Sequence, residues 1–269
     1  ARTRFMQDTL GPEGLKEAFL KNVESAKAEG GLELPRLEAL ADVCGGEETL
    51  EHPRAIRQKQ PGMYTVKYHP VGGLLPVEKP ARLYAAIKDL CNAECRVGPD
   101  ETLYIVNLPA AGAEKVLALT EDGAKTEFEY SVACIGATVC QQGVRDSQGL
   151  LRAAVSAVRE AGIPDGALPR IRISGCPSSC AAHQAGTIGF QGGVRLEDKK
   201  PQPAFRLFLG GGDALDEARF GEAGAVILEK DIPALLVELG RAAAAQGQNW
   251  AQWSESCRED LNAIVAKYA

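Results

Sequence analysis

No apolar run in the 269 residues approaches the roughly 20 that a membrane-spanning helix needs, and no secretory signal pattern opens the chain. Excess positive charge is missing too. Thirty Lys and Arg face 36 Asp and Glu, for a net charge of −6, which argues against a general nucleic-acid binder. No internal repeat at a fixed short period is detectable. Aromatic residues make up only 6%, yet 45% of the chain is apolar and 25% charged, an ordinary globular balance that excludes disorder and collagen-like repeats. The expectation is a cytoplasmic chain with no nucleic-acid or membrane partner and about two domains. The first residue is Ala1 rather than Met, followed by Arg2-Thr3-Arg4-Phe5-Met6, so the chain reads as processed or as a piece of something longer.

What the chain does have is cysteine: eight, at 44, 91, 95, 134, 140, 176, 180 and 257. A chain this long can build a core without disulfide staples, and clustered cysteines outside a secreted mini-protein point to metal or redox chemistry.

The apolar spacing predicts a helix over residues 13–28 (Leu15, Phe19, Val23, Ala26) and a connection over 30–60 with a short helix near 37–43. A strand is expected over Met63–Tyr68, a turn at Val71–Leu74, a helix over Pro80–Leu90, a strand over Thr102–Leu108 and a helix over Ala113–Leu119. Further on, Asp146 or Ser147 caps a helix to Ala161, strands follow at 170–174, 187–190 and 204–209, and Asp231 caps a long helix with Pro233 in its first turn. Strands interleaved with helices place the chain in the α+β or α/β class.

Five residues separate Cys134 from Cys140 and three separate Cys176 from Cys180, in loops containing Gly136, Gly175 and Pro177. Four thiolates are what a [4Fe–4S] cluster requires, and glycine lets backbone approach it closely. Structural zinc favours two to four intervening residues, which suits the second pair and not the first. Inert buried thiols are the remaining reading. Cys91 and Cys95 fall at the end of the expected second helix on one face, with no partner pair nearby. Cys44 and Cys257 stand alone, and both read as structural.

The stretches Cys134-Ile-Gly-Ala-Thr-Val-Cys140 and Ile173-Ser-Gly-Cys176-Pro-Ser-Ser-Cys180 resemble the cluster signature of the siroheme-dependent nitrite and sulfite reductases. Gly186-Thr187-Ile188-Gly189-Phe190-Gln191-Gly192 resembles the segment that follows it. Gly62–Val66, Gly73 and on to Asn107 resembles the family's ferredoxin-like half domain, and residues 1–6 with Leu10-Gly11 its inter-half linker. The resemblance implies an α+β chain: a lead-in over 1–55, a ferredoxin-like half domain over 56–122 and an α/β cluster-binding domain over 123–269. It implies a [4Fe–4S] cluster on Cys134, Cys140, Cys176 and Cys180, siroheme bridged through Cys180, and six-electron reduction of nitrite or sulfite fed by a donor such as ferredoxin. The first cysteine loop is slightly closer to the nitrite reductases.

Two departures stand out. The match is to the second of the family's two halves, whereas its anion-binding Arg and Lys lie in the first, so an N-terminal half or second subunit is the expected partner. Only scattered cations (Arg54, Arg57, Lys59, Arg170, Arg172) are available here for a polyanionic cofactor. Ser178 also stands where the family often has Asn. His183, three residues after Cys180, reads as a supporting residue rather than a ligand, and Arg145 and Arg152 read as solvated charges before cofactor partners.

Overall fold

The computed structural model describes residues 3–31, 33–34, 45–214, 216 and 218–269. The expected short helix at 37–43 and Cys44 lie outside the described residues. The chain divides into two compact units, residues 1–42 and 43–269.

In the first unit, helix α1 (Thr3–Glu29) is broken at Gly11, whose backbone leaves the helical region (φ 71°, ψ 171°) just before Pro12. Pro12 cannot donate to the preceding turn, so the two residues together restart the helix, and the segment expected over 13–28 is its second part.

The second unit is α+β and is built on two sheets. One contains β1 (Ala55–Arg57), β2 (Met63–Tyr68), β3 (Glu94–Val97) and β4 (Leu103–Pro109), antiparallel in the order β1-β2-β4-β3. Strand β2 matches the sequence expectation residue for residue, because Tyr64, Val66 and Tyr68 alternate inward over its length. Helices α2 (Lys79–Ile87) and α3 (Ala110–Leu119) cover one face, with Leu83, Ile87, Ala113 and Val116 against Tyr64, Val66, Ile105 and Leu108. The Arg54 guanidinium donates to the carbonyls of Leu117 and Thr120, satisfying the free C-terminal end of α3. Arg54 is therefore a structural cap and not a reserve of cofactor charge.

The expected helix over 80–90 stops at Ile87, and Asn92 takes a left-handed backbone (φ 57°) before β3 begins. Cys91 and Cys95 accordingly do not share a helix face: Cys95 lies on edge strand β3, paired in register with Ile105. An exposed four-residue edge carries no apolar alternation, and for that reason the periodicity does not reveal it.

The second sheet has the order β5-β6-β7-β8-β9, with β5 (Val132–Ala133), β6 (Ile171–Ser174), β7 (Ile188–Glu197), β8 (Lys200–Leu209) and β9 (Glu222–Leu228). The first three run parallel and the last two antiparallel. Strands β7 and β8 extend well past the expected segments because Asp198 and Lys199 both adopt positive φ (49° and 63°) and close a two-residue hairpin. Helices α4 (Ser147–Glu160), α5 (Ile232–Ala245), α6 (Trp250–Ser256) and α7 (Arg258–Ala266) supply the main core over this sheet. Asp146 caps α4 as expected, its carboxylate accepting from the Gly149 N–H at 2.8 Å. Asp231 occupies the N-cap position of α5 but makes no side-chain cap.

Leu236 of α5 is fully buried in this core. Leu236→Ala is expected to cost about 2–5 kcal/mol, read as a lower denaturation midpoint at an unchanged slope. No helix among the described residues is long and apolar enough to cross a membrane.

Polar contacts join the two sheets behind Cys134. The Gln148 amide donates to the carbonyls of Gly72 and Ala133, both at 2.7 Å. The buried His69 ring is hydrogen-bonded to the Thr102 hydroxyl and the Ser131 carbonyl. Burial holds the imidazole below its ordinary range, so this bridge uses the neutral ring.

Candidate functional site

Both cysteine loops leave the same edge of the second sheet, because β5 and β6 run parallel and adjacent. Cys134 follows β5, and its N–H donates to Ile173 O of β6 at 3.0 Å. Gly175 then joins the loops. Its carbonyl accepts from Val144 N at 3.0 Å and Arg145 N at 2.9 Å, and its own N–H donates to Cys134 Sγ at 3.2 Å. The Ser147 hydroxyl lies 3.2 Å from Cys134 Sγ and donates to Cys134 O at 2.7 Å.

Within the first loop Gly136 (φ 71°) accepts from Cys140 N at 2.8 Å. A Cβ on Gly136 would lie 2.7 Å from the Ser147 hydroxyl, and one on Gly175 would lie 2.5 Å from Arg145 O. These glycines are required by close backbone approach rather than by loop freedom alone.

The seven cysteines among the described residues are free thiols. Of the four in the two loops, Cys176 is buried, Cys134 and Cys140 are half-buried and Cys180 is exposed. The structure thus brings the loops of all four together. It holds, among the described residues, no group of three or more Cys, His, Asp or Glu side chains already set to bind a metal ion. The donor set fits a [4Fe–4S] cluster in kind and number, and the glycine contacts supply the backbone approach such a site needs. Cys257 lies apart beside Gln246 and Ser256, and Cys95 belongs to the other sheet.

Ile135, Val139 and Val144 are solvent-facing on the rim of the loops, beside exposed Thr138, Gln141 and Gln142. Half-buried Arg145 sits between the loops, and among the described residues its buried Nε completes no hydrogen bond, whereas Arg152 is exposed on α4. Ser178 is exposed at the tip of the second loop. His183 is completely buried, its ring 4.9 Å from that of Phe208. Among the described residues neither of its ring nitrogens completes a hydrogen bond, and burial keeps the imidazole below its ordinary range against the influence of Gln191.

Sequence reasoning missed Ser147, Ser174 and the role of Arg172. None has a periodic signal: Ser147 acts on Cys134, and Ser174 and Arg172 act on Ala181, through contacts that depend on how each loop turns back rather than on residue spacing. It also missed Glu101, which holds a left-handed backbone (φ 63°) and a buried Oε2 with no hydrogen-bond partner among the described residues. A Cβ on Gly73 would lie 2.1 Å from that oxygen. Burial pushes the Glu101 carboxyl up to about 7, Asp100 adds to the rise, and Arg172 and the Ala133 backbone oppose it.

A carboxyl raised on folding favours the protonated native state. Its contribution is therefore present below the unfolded value of 4.5 and lost as pH rises through about 7. Glu101→Gln mimics the protonated form, so its thermal midpoint relative to wild type is expected to rise between about pH 5 and pH 8. Parallel curves for the two proteins would contradict the assignment.

One groove of about 410 Å³ is lined by Leu150, Ala153, Gln202, Pro203, Leu228 and other residues, with no cysteine among the described residues that line it.

Residues 56–122 match a family model described as the nitrite/sulfite reductase ferredoxin-like half domain. The sulfite reductase [NADPH] hemoprotein beta-component of Bacillus subtilis (strain 168) is 26% identical over 147 residues, covering 47% of this chain and 26% of that protein. The chloroplastic ferredoxin–nitrite reductase of Spinacia oleracea is 28% identical over 219 residues, covering 78% of this chain and 35% of that one. Among solved structures, the Mycobacterium tuberculosis NirA protein superposes with a TM-score of 0.67 at 21% identity, over 97% of this chain and 49% of that one. At that identity the superposition speaks to the fold. The chain spans about a third or less of the length of the curated relatives it matches.

Proposed function

We propose, for a chain that belongs to the nitrite/sulfite reductase family, that residues 123–269 carry the [4Fe–4S]–siroheme site of an oxidoreductase reducing nitrite to ammonia or sulfite to sulfide. Residues 1–55 act as a lead-in and 56–122 as the ferredoxin-like half domain. One observation supports this reading most directly: Gly175 ties the two cysteine loops together through three hydrogen bonds, one of them to Cys134 Sγ itself. Independent core thiols have no need of that arrangement.

Cys134, Cys140, Cys176 and Cys180 would hold the cluster, with the exposed Cys180 also serving the siroheme site. Bound there, the cluster and siroheme supply one-electron transfers and an iron that takes the anion. The protein's own contribution is to place and shield. Gly136 and Gly175 keep the loops close, the Gly175 N–H stabilises thiolate charge on Cys134, and Arg145 brings a cation between the loops. Ile135, Val139 and Val144 give the rim apolar side chains that exclude water from a flat cofactor. Few other cations face this rim, so the charged anion pocket comes from a first half or a second subunit, and electrons come from an external donor such as ferredoxin.

Anaerobic reconstitution with iron and sulfide, then with siroheme, tests the proposal. Broad visible absorption from the cluster followed by haem bands is expected, with turnover of nitrite or sulfite by the assembled enzyme under a reduced dye. Cluster absorption with no haem uptake, even alongside a co-expressed first half, would reduce the chain to an electron-transfer module. A colourless protein loaded with zinc would overturn the reading.

A further inference from the structure

The backbone around Cys180 is unusual. Ser179 and Ala182 both carry positive φ, 58° and 51°, although each has a Cβ. Left-handed backbone is unfavourable for such residues and persists only where the surroundings over-determine it. Cys180 and Ala181 are the two residues between them.

Four contacts hold the segment, and two of them grip Ala181 itself. The Ala181 N–H donates to Ser174 Oγ at 3.3 Å, and the Ala181 carbonyl accepts from Arg172 Nη1 at 3.3 Å. The Ser179 hydroxyl donates to the Gln184 side-chain oxygen, and Gln184 O accepts from Gly221 N at 2.7 Å. Arg172 and Ser174 both lie on β6, the strand that leads into Gly175 and Cys176. Arg172 is fixed in turn by an ion pair with Asp213, whose carboxyl it holds below its usual range.

We infer that Arg172 and Ser174 are positioning residues for Cys180, clamping the following peptide from β6 so that its thiol faces outward at a fixed angle. The inference rests on the reading of Cys180 as a ligand. It also reassigns Arg172, which charge counting alone leaves as a scattered cation for a polyanionic cofactor. The guanidinium is committed to Ala181 and Asp213 beneath the loop. A shared thiolate needs such control, because orbital overlap between its sulfur and two metal centres depends on the direction of the Cβ–Sγ bond. A ligand on an unclamped exposed loop samples many directions.

The test uses Ser174→Ala, Ser174→Thr, Arg172→Gln and Asp213→Asn in the full chain. Hydrogen exchange of the cofactor-free proteins reads the clamp directly. Peptide 177–185 is expected to exchange about tenfold faster in Ser174→Ala and Arg172→Gln, less so in Asp213→Asn, while the β7–β8 hairpin stays protected. Ser174→Thr keeps the hydroxyl and should behave as wild type.

After anaerobic reconstitution, the reduced cluster of Ser174→Ala and Arg172→Gln should show a shifted electron paramagnetic resonance spectrum and midpoint potential at near wild-type iron content, with Ser174→Thr again unshifted. A purely structural role would lower stability and loading together without altering the spectrum of the clusters that form. Unchanged exchange in both disruptive variants, or clusters indistinguishable from wild type in both, would overturn the inference. If Arg172→Gln does not fold, Ser174→Ala, which removes only one small buried hydroxyl, carries the test. Should the wild-type chain itself take up no iron, the ligand reading fails, and hydrogen exchange alone then decides whether the clamp exists.

Discussion

Cys134→Ser, Cys140→Ser, Cys176→Ser and Cys180→Ser are each expected to abolish cluster content in the reconstituted protein, while Cys257→Ser and Cys95→Ser retain it. A serine oxygen is a poor ligand for thiophilic iron, and each cluster iron has a single protein thiolate. The contrast follows from placement. The first four side chains lie on two loops joined at Gly175, whereas Cys257 sits beside Gln246 and Cys95 on the other sheet. Iron and acid-labile sulfide per chain are the measurement. Serine is nearly isosteric with cysteine, so loss of iron with an unchanged thermal midpoint of the cofactor-free protein separates ligation from folding. Full loading in Cys134→Ser or Cys180→Ser would remove the assignment.

Gly192→Ala should have the second largest effect, although Gly192 touches no cysteine. A Cβ there would lie 2.3 Å from Gly175 O and 3.0 Å from the Arg145 Cβ. Gly175 O is the acceptor that Val144 and Arg145 share, so one added methyl pushes on the joint between the loops. Backbone cannot rotate aside as a flexible side chain can, and a cost of about 3 kcal/mol is expected together with a large loss of bound iron. Gly193→Ala is the internal control. It is the next residue on β7, none of the described residues lies within 4 Å of its added Cβ, and its effect should stay within about 0.5 kcal/mol. Equal stability and equal iron content in the two variants would show that the close approach at Gly175 is unimportant.

Much of the scaffold was legible because it follows local periodicity. Tyr64, Val66 and Tyr68 alternate, Asp146 offers a cap, and Leu235, Leu236 and Leu239 recur at helical spacing, so β2, α4 and α5 could be placed from residue types alone. Strands β1 and β3 were not legible, since three- and four-residue edges that face solvent need no apolar pattern. The β7–β8 hairpin was shortened for a different reason. Its turn is Asp198-Lys199, which lacks the glycine that usually signals positive φ.

The chemistry available was set by the sequence: four thiols in two short glycine-bearing loops, in stretches that resemble a known cluster signature. Ligand identity is a property of residue type, and residue type is complete in the sequence. The tertiary structure decided how those residues are held. Parallel pairing of β5 with β6 brings loops from distant parts of the chain to one sheet edge, and the Gly175 joint depends on that pairing, whereas the Arg172–Ser174 clamp forms where the chain after β6 turns back on the strand it has just left. Contacts between residues dozens of positions apart leave no spacing to read, because a hydrogen bond across a sheet depends on register and not on sequence separation.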